Sequence, residues 1–273
     1  MEYRIVPPKN YRLNLKELWG YRELFYFFTW RDIKVKYKQT YLGFSWAILQ
    51  PFFLMIIFSL VFRPILKTDT LSVPYPLFVY MGLILWNIFS NGVLTAGNSM
   101  IQNAAIIKKI YFPRLIIPFS SVFISVFDFI MTLIPLILLF IYYKTPIDID
   151  GLLWKLPVSI FLLLSTTLGI GTFLSALTVK YRDFRYIIPF LIQVLMFTSP
   201  ILYTSSQIDN LIVRYFLQFN PISTAIELFR SIIVESYPIS ISYLTMNIGI
   251  ALTVLIVGVV YFRKTEHFFA DIS

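Results

Sequence analysis

Residues 31–62 read RDIKVKYKQTYLGFSWAILQPFFLMIIFSLVF. Arg31, Lys34, Lys36 and Lys38 crowd into the first eight positions, and no Asp, Glu, Lys or Arg interrupts the run from Gln39 to Phe62. Crossing a hydrocarbon core of roughly 30 Å takes about 20 helical residues. Lysine and arginine gather on the side that stays in the cytoplasm. The stretch therefore reads as a membrane crossing with its direction attached. The chain is expected to start inside, run along the membrane surface and turn outward after Gly43.

The totals agree with a polytopic, all-α membrane protein. Of 273 residues, 58% are hydrophobic and 14% charged, with a mean hydropathy of +0.75. Soluble domains carry about 25% charged residues. One membrane domain over 1–273 is expected: a cytoplasmic tail and interface helix (1–43), a six-span bundle (44–262) and a cytoplasmic tail (263–273). No secretory signal pattern is evident. There is no cysteine, so no disulfide framework and no thiolate metal site. His267 is the only histidine, which argues against a His-based metal site or catalytic triad. The net charge of +9 reads first as cytoplasmic basic bias and second as attraction for an anionic substrate.

Residues 18–30, LWGYRELFYFFTW, place Leu18, Tyr21, Phe25 and Phe28 on one helical face. An amphipathic helix in the interface follows. From Ile33 to Lys38 apolar and basic residues alternate with a period of two. A short strand would fit that pattern, but an unpaired strand at a membrane leaves its backbone unsatisfied, so helix is expected. The six spans are predicted at about 44–62, 77–99, 115–141, 156–179, 186–203 and 243–262, from uncharged runs bounded by basic residues, prolines and turns. Asn87, Asn91, Gly92 and Asn98 inside the second span suggest helix packing, or a break at Gly92 beside a watery path. Pro118 and Pro135 are candidate kinks in the third. Gly169 and Gly171 allow close contact in the fourth. Of the 23 Lys and Arg, 17 fall in segments expected inside and 6 in segments expected outside, which puts both termini in the cytoplasm.

Three places carry candidate chemistry. Asp128 lies near the middle of the third span, where a carboxylate is a proton or substrate contact or a hydrogen-bonded packing group. Residues 100–114 form a short amphipathic stretch in which Ile106, Ile107, Ile110 and Tyr111 share a face beside Lys108 and Lys109. It suits a groove on a partner, or else the headgroup layer. Asn220-Pro221 is a helix start, with an amide cap and proline at the first position. Beyond it, Glu227 and Arg230 are spaced to pair on a re-entrant hairpin in the outer leaflet before the last span. No P-loop and no metal-ligand spacing exists. No catalytic residue, cofactor or metal is expected, and the chain does not read as an enzyme. With Asp128 the only clear intramembrane acid, ion-coupled transport is poorly supported. Energy would have to come from a partner. Phe, Tyr and Trp make up 18% of the chain. Most are interface belt and packing, and a minority along a path would suit sugar rings.

The run Arg31-Asp32-Ile-Lys34-Val-Lys36-Tyr37-Lys38-Gln39-Thr40-Tyr-Leu42-Gly43, then Trp46 and Gln50-Pro51, resembles the opening of the permease subunits of type-2 ABC exporters for polysaccharides. Further matches are Gly82 with Trp86, Lys108-Lys109-Ile-Tyr-Phe112-Pro113-Arg114, Tyr181-Arg182-Asp183, Ser199-Pro200, Asn220-Pro221 with Arg230, and Phe268-Phe269-Ala270-Asp271. The resemblance spans nearly the whole chain in order. It implies a homodimer in the bacterial inner membrane, paired with two copies of a separate ATP-binding subunit and without nucleic acid. It implies a cytoplasmic coupling helix at Ile106, Ile107, Lys108, Lys109, Ile110 and Tyr111. It implies outer gate helices around Asn220, Pro221, Glu227 and Arg230. The cargo would be a polysaccharide on a polyprenyl pyrophosphate or similar lipid. O-antigen is expected first, with teichoic acid, capsule or a passive scaffold as alternatives. Arg31, Lys34, Lys36 and Lys38 are candidates for receiving its headgroup, or else serve orientation and anionic lipid. Trp46, Phe52, Trp86 and Asp128 are candidates for the path.

Overall fold

A computed structural model describes residues 15–38, 43–64, 73–205, 208–233 and 240–266. The regular elements among them are all helical: α1 (Leu15–Gly20), α2 (Arg22–Lys38), α3 (Ser45–Phe62), α4 (Tyr75–Gln102), α5 (Ala104–Ile107), α6 (Ile116–Tyr143), α7 (Ile149–Lys180), α8 (Phe184–Thr198), α9 (Leu211–Gln218), α10 (Pro221–Arg230) and α11 (Ile241–Thr265). The Phe268–Asp271 motif and the chain before Leu15 lie outside the described residues.

Five helices, α3, α4, α6, α7 and α11, are long and apolar enough to cross a membrane. The fifth expected span is shorter than predicted. The helix α8 has 15 residues, about 22 Å at 1.5 Å per residue. Its carboxyl end is fixed by Pro200, which disfavours helical backbone at Ser199. By contrast α7 starts at Ile149, seven residues before the expected 156. Asp148 makes that early start possible. Its carboxylate accepts the Gly151 amide at 2.8 Å and pairs with Lys155 at 2.9 Å, so the first turn is capped and its charge matched. The alternating residues 33–38 are helical, as the backbone argument requires. Gly43, at φ +51°, supplies the left-handed turn from which α3 departs.

The bundle is organised around α4. Over its most apolar 18-residue window 83% of residues are buried, against 17% for α3 and 22% for α11. It touches α3, α6, α7, α8 and α10. The helix is unbroken through Gly92, where a Cβ would meet Thr167 Cγ2 at 2.5 Å. The glycine therefore serves packing. Between α7 and α11 the approach is closer still. A Cβ on Gly258 would lie 2.0 Å from the Gly169 carbonyl oxygen. With no hydrophobic effect to drive helices together inside lipid, such small-residue contacts let backbone dispersion hold the pair. Leu60, Ile137, Leu138 and Ile256 are exposed on the outside of the bundle, as suits a surface facing lipid rather than water.

A smaller cluster fastens α2 to the bundle. Phe28, 1% exposed, packs with Phe112, Leu115, Ile116 and Phe262. Phe25 meets Phe123 edge-on at 5.1 Å. The helix therefore does not simply lie on a surface; its carboxyl end follows α6 inward.

Candidate functional site

Asp128 is 6% exposed and lies twelve residues into α6, about 18 Å from its start. The residues that reach it come from α2. Its Oδ2 sits 2.5 Å from Lys36 Nζ, and its Oδ1 accepts the Tyr37 hydroxyl. Burial first, and then this hydrogen bond, hold the Tyr37 phenol far above its ordinary range, so it stays a neutral donor. A buried carboxylate requires such partners, because desolvation of a bare charge is expensive. The cation contributes differently: the Lys36 side chain is 39% exposed, against 8% for that of Asp128.

The pair forms one wall of a cavity of about 50 Å³, room for a few waters. Trp46, Ala47 and Gln50 of α3 close it, with Asn87 and Asn91 of α4 and Thr132 of α6. Thus α2, α3, α4 and α6 meet at one polar junction. Two of the four path candidates, Trp46 and Asp128, line it together with Lys36 from the basic cluster. Trp86 is 3% exposed and packs on Phe89 at 5.3 Å, and Phe52 packs against the main core. Tyr37, Gln50 and Thr132 were not singled out from sequence as members of a site. The only signal for Tyr37 was its place in the resembling run.

The other basic residues of α2 have different surroundings. Arg31 pairs with Asp32 at 2.6 Å, donates to Asn103 Oδ1 at 2.6 Å and covers the Phe28 ring at 4.8 Å. It ties α2 to the end of α4. Lys34 lies over Trp30 at 5.2 Å. Lys34 and Lys38 are exposed along a surface groove of about 340 Å³ with Phe27, Trp30 and Val35. The sequence's single basic cluster is divided between two structural ties and two outward cations.

At the opposite end of the bundle, Asn220 caps α10 by accepting the Ile222 amide at 3.0 Å, with Pro221 at the first position. The expected Glu227–Arg230 pairing is not among the ion pairs of the described residues. Arg230 is 1% exposed. It donates to the carbonyls of Phe78 at 3.1 Å, Pro200 at 2.5 Å and Ile201 at 2.6 Å, with the Phe78 ring 3.5 Å away. Glu227 instead accepts the Ser205 amide at 3.2 Å. The physical reason is that α10 is buried on nearly every side. Its arginine must satisfy its donors inside the protein, and the loop after α8 presents free carbonyls. Gly82 makes the room: a Cβ there would lie 2.4 Å from Arg230 Nη2.

The expected coupling stretch is one short helical turn, α5, followed by a turn, a bend and irregular chain to Pro113. Ile106 and Ile107 are half-buried, while Lys108, Lys109, Ile110 and Tyr111 are exposed. Among the described residues no group of three or more acidic, histidine or cysteine side chains is placed to hold a metal ion.

A helical bundle with a polar junction, exposed turns at one end and a capped hairpin at the other is the frame of a membrane transport protein. Residues 23–234 match the ABC-2 type transporter family, and the chain belongs to that family. A protein named O-antigen export system permease protein RfbA from Klebsiella pneumoniae is 32% identical over 95% of this chain and 99% of its own length. One of the same name from Myxococcus xanthus is 27% identical over 81% of this chain and 84% of its own. The polysialic acid transport protein KpsM of Escherichia coli is 24% identical over 86% and 91%.

Proposed function

We propose that the chain is the permease subunit of an ATP-driven exporter that moves a lipid-linked polysaccharide out across the bacterial inner membrane, with O-antigen on a polyprenyl pyrophosphate carrier as cargo. The observation that carries this is the end-to-end relationship, at 32% identity, to a protein named as an O-antigen export permease. Both termini lie inside in this reading, and α8 completes a sixth crossing. Two copies of the chain form the pathway, and two ATP-binding subunits dock at the turn around Ile106–Tyr111. Arg31, Lys34, Lys36 and Lys38 line the approach used by the carrier headgroup. Trp46, Phe52, Trp86 and Asp128 belong to the path, and α9 and α10 to an outer gate.

The test is deletion of the gene in its host, followed by identification of carrier-linked glycans retained in the cytoplasm. Retention of O-antigen on its lipid is the expected result. A retained capsular polymer would transfer the reading to capsule export, which the polysialic acid transport relatives favour. Unchanged glycan export would discard both, and would leave a passive scaffold.

A further inference from the structure

The carboxyl end of α10 is held by α7. The last carbonyls of a helix have no partner within it, and here two of them are met from another element. Lys155 Nζ donates to the Ser231 carbonyl at 3.0 Å, and the Asp148 amide donates to the Ile232 carbonyl at 3.0 Å. Asp148 also pairs with Lys155, whose side chain is only 16% exposed. A cation at this position opposes the partial negative charge of the helix end. Along its length α10 is fixed as well. Nine of its ten residues are buried, Arg230 is caged by three carbonyls, and Glu227 holds the Ser205 amide.

The preceding helix is built the opposite way. Asn210 caps α9 locally, accepting the Ile212 amide at 2.9 Å, so its start needs no neighbouring element. Residues 211–216 are all exposed, and of the eight residues of α9 only Leu217 is buried. Among the described residues no side chain of α9 enters an ion pair or hydrogen bond. A tie to the bundle comes at its last residue, where Asn247 of α11 donates to the Gln218 carbonyl at 2.8 Å. Phe219 and Asn220 then leave helical backbone before α10 begins. A helix anchored at one end and followed by two non-helical residues has the form of a leaf on a hinge. We infer that in the outer hairpin α9 alone moves, pivoting at Gln218–Asn220, while Asp148 and Lys155 keep α10 fixed to α7. The inference deepens the outer-gate reading and rests on it for the role of the motion: the gate has one leaf rather than two, and α10 is its frame.

The experiment uses the full chain in nanodiscs together with its ATP-binding partner. Amide hydrogen exchange is followed by mass spectrometry over residues 211–218 and 221–230, first without nucleotide and then with a non-hydrolysable ATP analogue. Without nucleotide, α9 should exchange about tenfold faster than α10 or more, as local opening follows exposure. Lys155→Met should raise exchange over the last turn of α10 about tenfold, the factor for one charge-assisted hydrogen bond, and leave α9 unchanged. Lys155→Arg, which keeps the charge and donors, should recover much of that protection. Arg214→Gln, on α9, should leave α10 as protected as in wild type. Equal protection of the two helices overturns the inference, and so does α10 protection unmoved by Lys155→Met. Should the methionine variant not fold, the wild-type contrast between the helices still decides. With the analogue, a change confined to α9 supports the single leaf, and a joint change of α9 and α10 overturns it. No response to the analogue, with the resting contrast intact, counts against the gate reading and leaves the pivot supported.

Discussion

The Lys36–Asp128 contact joins residues 92 positions apart, and its strength is open to a double-mutant cycle. Lys36→Met keeps the stem and removes the charge. Asp128→Asn keeps an oxygen for the Tyr37 hydroxyl and removes the negative charge. Breaking a fully buried ion pair by removing one partner costs about 3–5 kcal/mol. Asp128 is buried deeply enough for that range, with its side chain 8% exposed, but Lys36 is 39% exposed. Exposed pairs contribute about 0–1 kcal/mol. The coupling energy should fall between these limits, about 1–2 kcal/mol. Lys36→Met alone, which leaves the buried carboxylate without its cation, should destabilise more than Asp128→Asn, which leaves only a part-exposed lysine unpaired. The assay is reversible unfolding in mixed micelles of the two single variants and the double variant. Additive single effects, within about 0.5 kcal/mol, would refute the idea that this pair fastens α2 to α6.

Three further outcomes are expected. Gly82→Ala should lower the unfolding temperature by several degrees, because its Cβ would displace the Arg230 guanidinium from its carbonyls; Arg230→Met should do the same, and an unchanged midpoint for either would show that the carbonyl cage adds nothing. Gly258→Leu should reduce the folded fraction seen by size-exclusion chromatography, since even a Cβ overlaps Gly169, and a normal monodisperse yield would contradict the packing argument. The Asp148 carboxyl is held below its ordinary 3.8, first by the Gly151 amide and then by Lys155. Its stabilisation is thus present above 3.8 and is lost as pH falls through the lower folded value. Thermal midpoints of wild type and Asp148→Asn should differ at neutral pH and converge in strong acid; a constant gap would refute it.

The long uncharged runs made the major helices legible, because spanning a membrane leaves the chain few alternatives. The helical reading of residues 33–38 rested on the same constraint. What escaped was set by partners far away in sequence. Nothing near Asp128 names Lys36 or Tyr37 as its neighbours. The Arg230 acceptors are backbone carbonyls, which every residue possesses and no side-chain pattern marks. Spacing alone favoured Glu227, yet α10 is packed on the side where that pair would have formed. The early start of α7 depended on a single aspartate cap in what otherwise read as loop.

The Gly169–Gly258 contact also acts as a key between α7 and α11. The neighbours of Gly258 are Val257 and Val259. Turning α11 by one residue, about 100°, would drive a branched side chain into the Gly169 backbone. Sliding it along α7 meets a similar obstruction. A lock of this kind has a single seating, so the two helices must find their register during assembly and then keep it, travelling as one piece in whatever rearrangement the rest of the bundle undergoes.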